Sequence, residues 1–150
     1  FMKEQLVLWE PLEGNPFCRR HNELHLDKFS YEHDLILTFH DVKNNEMYTF
    51  IYEALEGIRS FITLRIADEF KRGDIDKLIN EFFDKEEAKS LNYGPTFYIV
   101  QYSSFLEWQD SNDPVRIILQ PNAEHHLFIT SNFYIDVLTE IQPTVSKAKL

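Results

Sequence analysis

The 150-residue chain is poor in cysteine and glycine, and each shortage argues against a class of protein. Its single cysteine, Cys18, cannot form an internal disulfide, which argues against a small secreted scaffold and for a reducing compartment. Four glycines cannot build a glycine-rich phosphate-binding loop, and neither G-x-G-x-x-G nor a P-loop is present. No apolar run approaches the roughly 20 residues that a membrane-spanning helix needs.

Basic residues are also scarce, because 15 of them face 25 acidic residues and leave a formal net charge of −10. This charge opposes binding to nucleic acid and to anionic membrane surfaces, and it speeds encounter with a basic protein. We therefore expect a cytoplasmic protein with no nucleic-acid or membrane partner. A simpler interpretation is that the acidity only keeps the protein soluble.

Length and composition favour a single domain over residues 1–150. Thirteen Phe and seven Tyr supply many large, flat side chains, which suit a sheet-rich core. We interpret Phe1 and Met2 as a remnant of expression, and residues 144–150 as a frayed tail.

Alternation of apolar and polar residues predicts strands over most of the chain. Asn44 and Asn45 supply turn chemistry between two of these strands and predict a hairpin. The run 133–138 fits either a helix or a strand. The predicted strands are 6–9, 24–26, 35–39, 47–52, 60–66, 96–100, 115–119 and 126–130.

One segment changes to the period of an α-helix. Its apolar side chains recur at i, i+3, i+4, i+7 and i+8, which predicts an amphipathic helix with Asp74 as its N-cap, fading near Ser90. The helix-forming residues are Ile75, Leu78, Ile79, Phe82 and Phe83. The opposite face carries Glu81, Asp84, Glu86 and Glu87, and we take these four acids as the candidate partner-binding surface.

A second, short helix is predicted after residue 103. Ser104 and Glu107 have the spacing of a capping box, and Pro114 should stop the helix. Trp108 on this helix is expected to pack on Phe105, with an interface anchor as the alternative. Strands on both sides of one strong helix indicate an α+β fold, with a mostly antiparallel sheet and one or two short helices.

No arrangement in the sequence supports a metal or cofactor site. Cys18, His21 and His25 have ligand-like spacing, but an extended backbone separates the two histidines by roughly 13 Å, too far to share an ion. His125 and His126 are neighbours on a predicted strand, so they face opposite sides, and one of them is expected to face solvent.

No catalytic residue can be nominated either. His40 and Asp41 resemble half of a catalytic dyad, but no G-x-S-x-G nucleophile motif accompanies them. Carboxylate pairs are too common in an acidic chain to identify an acid and a base. These absences favour a binding role over an enzyme.

The back half of the chain resembles a group of small, largely uncharacterised bacterial proteins. In that group a strand is followed by a Ser, an aromatic residue and a Trp, and the matching segment here is 97–108, with Tyr102 before the Ser where the group often has an acidic residue. A later strand that contains a histidine leads to Ile-Asp-Val-Leu, which corresponds here to 126–130 and 135–138. Such proteins are encoded in polymorphic-toxin neighbourhoods, so the resemblance implies a cytosolic immunity role.

Charge and resemblance together predict an acidic binding protein, an inhibitor that neutralises a basic partner such as a toxin. The alternative is an enzyme or small-ligand-binding protein whose site is assembled from residues distant in sequence. A large apolar pocket with convergent polar groups would favour this alternative.

Overall fold

The computed structural model describes residues 2–19, 21–85 and 96–150, and their strands form two antiparallel sheets. The strands are β1 (Gln5–Leu8), β2 (Leu24–Tyr31), β3 (Leu35–Asp41), β4 (Glu46–Tyr52), β5 (Thr63–Asp68), β6 (Phe97–Gln101), β7 (Glu124–Ile129), β8 (Phe133–Thr139) and β9 (Thr144–Lys149). One sheet has five strands in the order β1-β6-β7-β8-β5, and the other has four in the order β2-β3-β4-β9. The predicted α+β fold, mostly antiparallel sheet, is confirmed.

Aromatic side chains fill the space between the two sheets. Phe39 and Phe50 project from the four-stranded sheet and meet Phe97 and Phe128 of the five-stranded sheet. The ring centroids of Phe39 and Phe128 are 5.2 Å apart, and those of Phe50 and Phe97 are 5.6 Å apart. All four rings are fully buried, so this layer is the main core of the molecule.

Helices cover the opposite face of the five-stranded sheet. The helix α1 (Gly73–Phe83) buries Ile75 and Phe82 in a second apolar cluster with Tyr98 and Leu127. The helix α2 (Ser104–Asn112) packs against β7 on this face, and α3 (Arg116–Leu119) follows as a single turn. The five-stranded sheet is therefore buried on both faces, and its strands carry long apolar runs.

The hairpin predicted around Asn44 and Asn45 is confirmed as β3 and β4, with Asn45 at a φ of 54°. The run 133–138, which the sequence left open between helix and strand, lies in β8.

Two predicted helix starts are wrong. Arg72, not Asp74, is the N-cap of α1, because the Arg72 side chain turns into the protein while Asp74 lies in the first turn and pairs with it. The N-cap of α2 is Ser103, whose Oγ accepts the Leu106 N–H at 3.0 Å. Ser104 is the first helical residue, and its hydroxyl donates to Glu4. The described part of α1 ends at Phe83, and the predicted continuation over 86–90 lies outside the described residues.

Two predicted segments have a different structure. Residues 115–119 were expected to be a strand, but Val115 is an N-cap and 116–119 form α3. Arg116 binds the carbonyl of Gln120 and the carboxylate of Asp110, and this closes the chain into a turn. Residues 144–149 are no frayed tail: they form β9, which adds to the free edge of β4 and turns Val145 toward the core.

Within the described ranges, no helix has both the length and the apolar character needed to cross a membrane.

We expect Phe39→Ala to lower the free energy of unfolding by about 3–5 kcal/mol, because it leaves a cavity between the sheets. Phe70→Ala is the matched control, since Phe70 is 86% exposed and its removal should change stability by less than about 0.5 kcal/mol. Urea denaturation followed by circular dichroism measures both values. Equal losses in the two variants would contradict the assignment of the inter-sheet core.

Candidate functional site

The two histidines of β7 point to opposite faces of the five-stranded sheet, as the sequence predicted. Both are buried, however, and the expectation that one of them faces solvent is wrong. The reason is that this sheet is covered by the second sheet on one side and by helices on the other. His126 lies in the inter-sheet core, and His125 lies beneath α2.

His126 is held as a neutral packing residue. Its ring stacks on Trp9 with centroids 4.2 Å apart, and its Nδ1 lies 2.8 Å from the Tyr52 hydroxyl. Burial lowers the pKa of His126 despite the Glu124 carboxylate 3.3 Å from its Nε2. These partners account for both ring nitrogens, so His126 belongs to the core.

His125, in contrast, belongs to a chain of polar groups centred on Asp136. The Asp136 side chain has no solvent exposure, and its Oδ1 lies 2.7 Å from His125 Nε2. Its Oδ2 accepts from Arg65 Nε at 3.0 Å and from the guanidinium of Arg72. Burial raises the pKa of the Asp136 carboxyl, but the hydrogen bonds from His125 and the two arginines outweigh it and hold the pKa well below its ordinary value.

Because Asp136 is ionised, it can only accept, so His125 Nε2 donates to it. In the tautomer that leaves Nδ1 unprotonated, this second nitrogen accepts from the Ser103 hydroxyl at 2.6 Å. Ser103 Oγ in turn accepts the Leu106 N–H. A serine, a histidine and an aspartate are thereby joined in one directional series of hydrogen bonds.

Local structure places Ser103 at a tight turn between β6 and α2. Tyr102 has a φ of 55°, a left-handed conformation that non-glycine residues rarely adopt. This turn reverses the chain directly after the strand and brings the hydroxyl of Ser103 over β7, within reach of His125. Strain of this kind persists only where the surrounding structure fixes it, and here the cap of α2 does so.

A cavity opens beside this series of groups, with a volume of about 650 Å³. Ser103 and His125 both line it, although each is largely buried. Its apolar wall is formed by Met2, Ile99, Val100, Leu106 and Ala123. Three acids also line it, namely Glu107, Asp110 and Glu124, together with the uncharged polar residues Gln101 and Tyr102. This volume lies within the range of small-molecule sites.

A second unusual feature is the outer surface of α3, which we call the α3 patch: Val115, Ile117, Ile118 and Leu119. All four side chains are exposed, and Ile118 is 78% exposed. Arg116 is the buried residue of this turn, and its Nη2 donates to Asp110 Oδ2 at 2.8 Å. The helix is therefore attached to α2 by an ion pair and leaves its apolar side chains in solvent.

The acids nominated from the sequence lie elsewhere. Glu81 is on α1 and pairs with Lys3 at 3.0 Å, and Asp84 caps the end of the same helix. Glu86 and Glu87 lie outside the described residues. That this surface binds a partner stays a prediction.

Trp108 does contact Phe105, with centroids 5.7 Å apart, yet it remains 55% exposed. The predicted contact with Phe105 is therefore confirmed, and the alternative role as an interface anchor stays a prediction.

Asp41, which the sequence paired with His40, has a structural role. Asp41 closes the turn after β3 by accepting from the amides of Glu23 and Asn44, and it does not bond to His40. Among residues 2–19, 21–85 and 96–150, no three His, Cys, Asp or Glu side chains come together in a way that could hold a metal ion.

Sequence reasoning missed the grouping of Ser103, His125 and Asp136. The three residues come from a turn and two strands, and their spacing matches no motif. Only the register of β7 against β8, where Leu127 is opposite Asp136, brings His125 next to the carboxylate. One signal was available, an aspartate within the apolar run of β8, because an acid in such a position needs buried partners.

We expect Asp136→Asn to lower the free energy of unfolding at pH 7 by about 3–5 kcal/mol, because it removes the buried charge that pairs with Arg65 and Arg72. The pKa of Asp136 is lower in the folded chain than the value of about 3.9 in the unfolded chain. Its contribution is therefore complete well above pH 4 and is lost as the pH falls below it. Urea titrations between pH 7 and pH 2 should show the two proteins converging below about pH 4.

The control for this prediction is Glu56→Gln, an exposed carboxylate whose loss should change stability by less than about 0.5 kcal/mol. A gap between Asp136→Asn and wild type that stays constant down to pH 2 would contradict the prediction.

Comparisons of the chain with models of protein families, with curated proteins and with solved structures found no match.

Proposed function

We propose that this chain is a binding protein whose partner is a basic protein, held at the α3 patch. The observation that carries the proposal is the exposure of four large apolar side chains within five consecutive residues, 115–119. Clustered exposed apolar side chains of this kind mark interaction surfaces in soluble proteins. Single exposed apolar residues need no such explanation, but a whole helical turn does.

The way α3 is attached supports a role in recognition. A helix in a globular protein normally buries its apolar face, and α3 buries its arginine instead. The ion pair between Arg116 and Asp110 fixes the position of the turn without covering its apolar groups. Because the surface is held in place before binding, a partner would lose little of its binding free energy to ordering it.

Charge identifies the chemistry of the partner. Residues 104–120 contain three acids, Glu107, Asp110 and Asp113, and one base, Arg116, which is buried and already paired. The surface around the α3 patch is therefore acidic, and the whole chain carries a formal charge of −10. A basic protein with an apolar patch matches both properties, since opposite charge speeds encounter and apolar contact supplies affinity.

The resemblance to proteins of toxin neighbourhoods narrows the proposal to an inhibitor that neutralises a basic toxin. An inhibitor of this kind needs a rigid binding surface and no chemistry of its own. The α3 patch provides such a surface on a body stabilised by two packed sheets.

The test is retention of proteins from a lysate of the source organism by the immobilised chain, compared among variants. We expect Ile118→Glu to weaken retention at least about 30-fold, because it places a charge at the centre of the apolar contact. Phe70→Glu is the matched control: it makes the same change at a residue that is 86% exposed but lies outside the α3 patch, and it should bind like wild type. The retained protein should be basic and should be shed at about 0.5 M salt.

The purified partner should then form a complex of defined stoichiometry in isothermal titration calorimetry. The variants should rank in the same order of affinity as in the retention assay. Glu81→Gln combined with Asp84→Asn tests the acidic face of α1 in the same assay. If the double variant loses binding and Ile118→Glu does not, the interface lies on α1, and the assignment of the interface to the α3 patch is wrong. Retention of acidic proteins, or of none, would contradict the proposed function.

A further inference from the structure

The Ser103–His125–Asp136 series has the connectivity of an activated serine nucleophile. The Ser103 hydroxyl donates to His125 Nδ1 at 2.6 Å, and His125 Nε2 donates to Asp136 Oδ1 at 2.7 Å. In such a series the histidine is the general base, and the aspartate holds the ring in one tautomer and stabilises its charged form. In the familiar serine proteases Nε2 faces the serine and Nδ1 faces the aspartate, whereas here Nδ1 faces Ser103 and Nε2 faces Asp136. Either nitrogen is basic when the other carries the proton.

The surroundings of Asp136 keep it in the state that this role requires. Arg65 and Arg72 bind its second oxygen, so the carboxylate stays ionised and cannot rotate away from His125. Arg65 is further fixed by its position 4.1 Å above the Phe105 ring. Asp136 is thus a positioning residue, since it acts on the reaction only through His125.

Ser103 retains the capacity to attack. Its Oγ accepts one hydrogen bond, from Leu106, and a hydroxyl oxygen has two lone pairs, so one remains for a substrate carbonyl. The adjoining first turn of α2 contains the amides of Ser104 and Phe105, which have no intrahelical acceptor. Amides in this position are suitable donors for a negative charge that develops on a carbonyl oxygen.

The cavity beside Ser103 indicates the substrate class. Its volume of about 650 Å³ accommodates a small molecule, and its wall of Ile99, Val100 and Leu106 suits an acyl chain. The acidic groups at Glu107, Asp110 and Glu124 disfavour carboxylates and phosphate esters. An uncharged carboxylic ester fits both properties.

We propose that the chain hydrolyses uncharged carboxylic esters, with Ser103 as the nucleophile and His125 as the general base. Ser103 Oγ bonds to the ester carbonyl carbon and its proton passes to His125 Nδ1. The ester C–O bond then breaks, and the alcohol leaves with that proton. Water attacks the acyl-serine, gives a proton to His125, and the carboxylic acid leaves as that proton returns to Ser103. Ester and water become acid and alcohol, with no further reactant.

The first test is covalent labelling of the native, full-length chain with an alkyl fluorophosphonate, which reacts with activated serines. We expect one adduct by intact-mass spectrometry, mapped to Ser103 by peptide analysis, and none after denaturation in urea. This measurement needs no variant, so a fold weakened by mutation cannot obscure it. No adduct on the native chain, or an adduct on another serine, overturns the proposal.

The second test is hydrolysis of p-nitrophenyl butyrate at pH 7.5. Ser103→Ala and His125→Gln should each lose at least about 100-fold in kcat/KM, the scale expected for loss of a nucleophile or a general base. Ser111→Ala, an exposed serine on the same helix and outside the lining of the cavity, is the matched control and should keep the wild-type rate. Circular dichroism checks that each variant is folded. Equal rates for Ser103→Ala and Ser111→Ala overturn the proposal.

The proposed hydrolysis and the proposed partner binding can be disproved independently of each other. Ile118→Glu should retain full labelling at Ser103 and full esterase activity, because α3 lies outside the lining of the cavity. Ser103→Ala, if folded, should still retain a basic partner.

Discussion

The buried carboxylate of Asp136 is the constraint on which the helical side of the molecule depends. A charge without solvent exposure is tolerated only if its partners replace the lost hydration, and Asp136 has three of them. Arg65 ties it to β5, Arg72 to the start of α1, and His125 to the neighbouring strand. Through Ser103, the same network also fixes the start of α2. One charge thereby orders the two longer helices relative to the sheet.

Two features of the molecule are not explained by the needs of folding. The series that ends at Ser103 borders an open cavity, whereas a purely structural network would be closed over by packed side chains. The α3 patch leaves apolar side chains in solvent, although the chain has a large aromatic core in which to bury such groups. Both features lie on the segment that follows β6, and both proposals made for this molecule concern that segment.

The fold could be predicted from the sequence to the extent that local periodicity determines it. The hairpin around Asn45 and the helix through Ile75 and Phe82 follow from period and turn chemistry, and both are present. The predictions of a strand over 115–119 and of a frayed tail over 144–150 were wrong, because contacts with other segments decide both structures. Residues 115–119 are held by the ion pair between Arg116 and Asp110. Residues 144–149 pair with the free edge of β4. The Ser103 series could not be predicted, because strand register creates it and no local pattern encodes register between β7 and β8.

The two tryptophans of the chain occupy opposite environments, and this gives the protein two built-in optical reporters. Trp9 is buried against His126 between the sheets, while Trp108 lies half in solvent on α2. Indole emission shifts to the red as water relaxes around the excited ring, so the two fluorophores emit at different wavelengths. Separation of the sheets would change the emission of Trp9 at shorter wavelength. A molecule bound at α2 would change the emission of Trp108 at longer wavelength. Unlabelled protein can therefore distinguish loss of structure from occupancy of its surface.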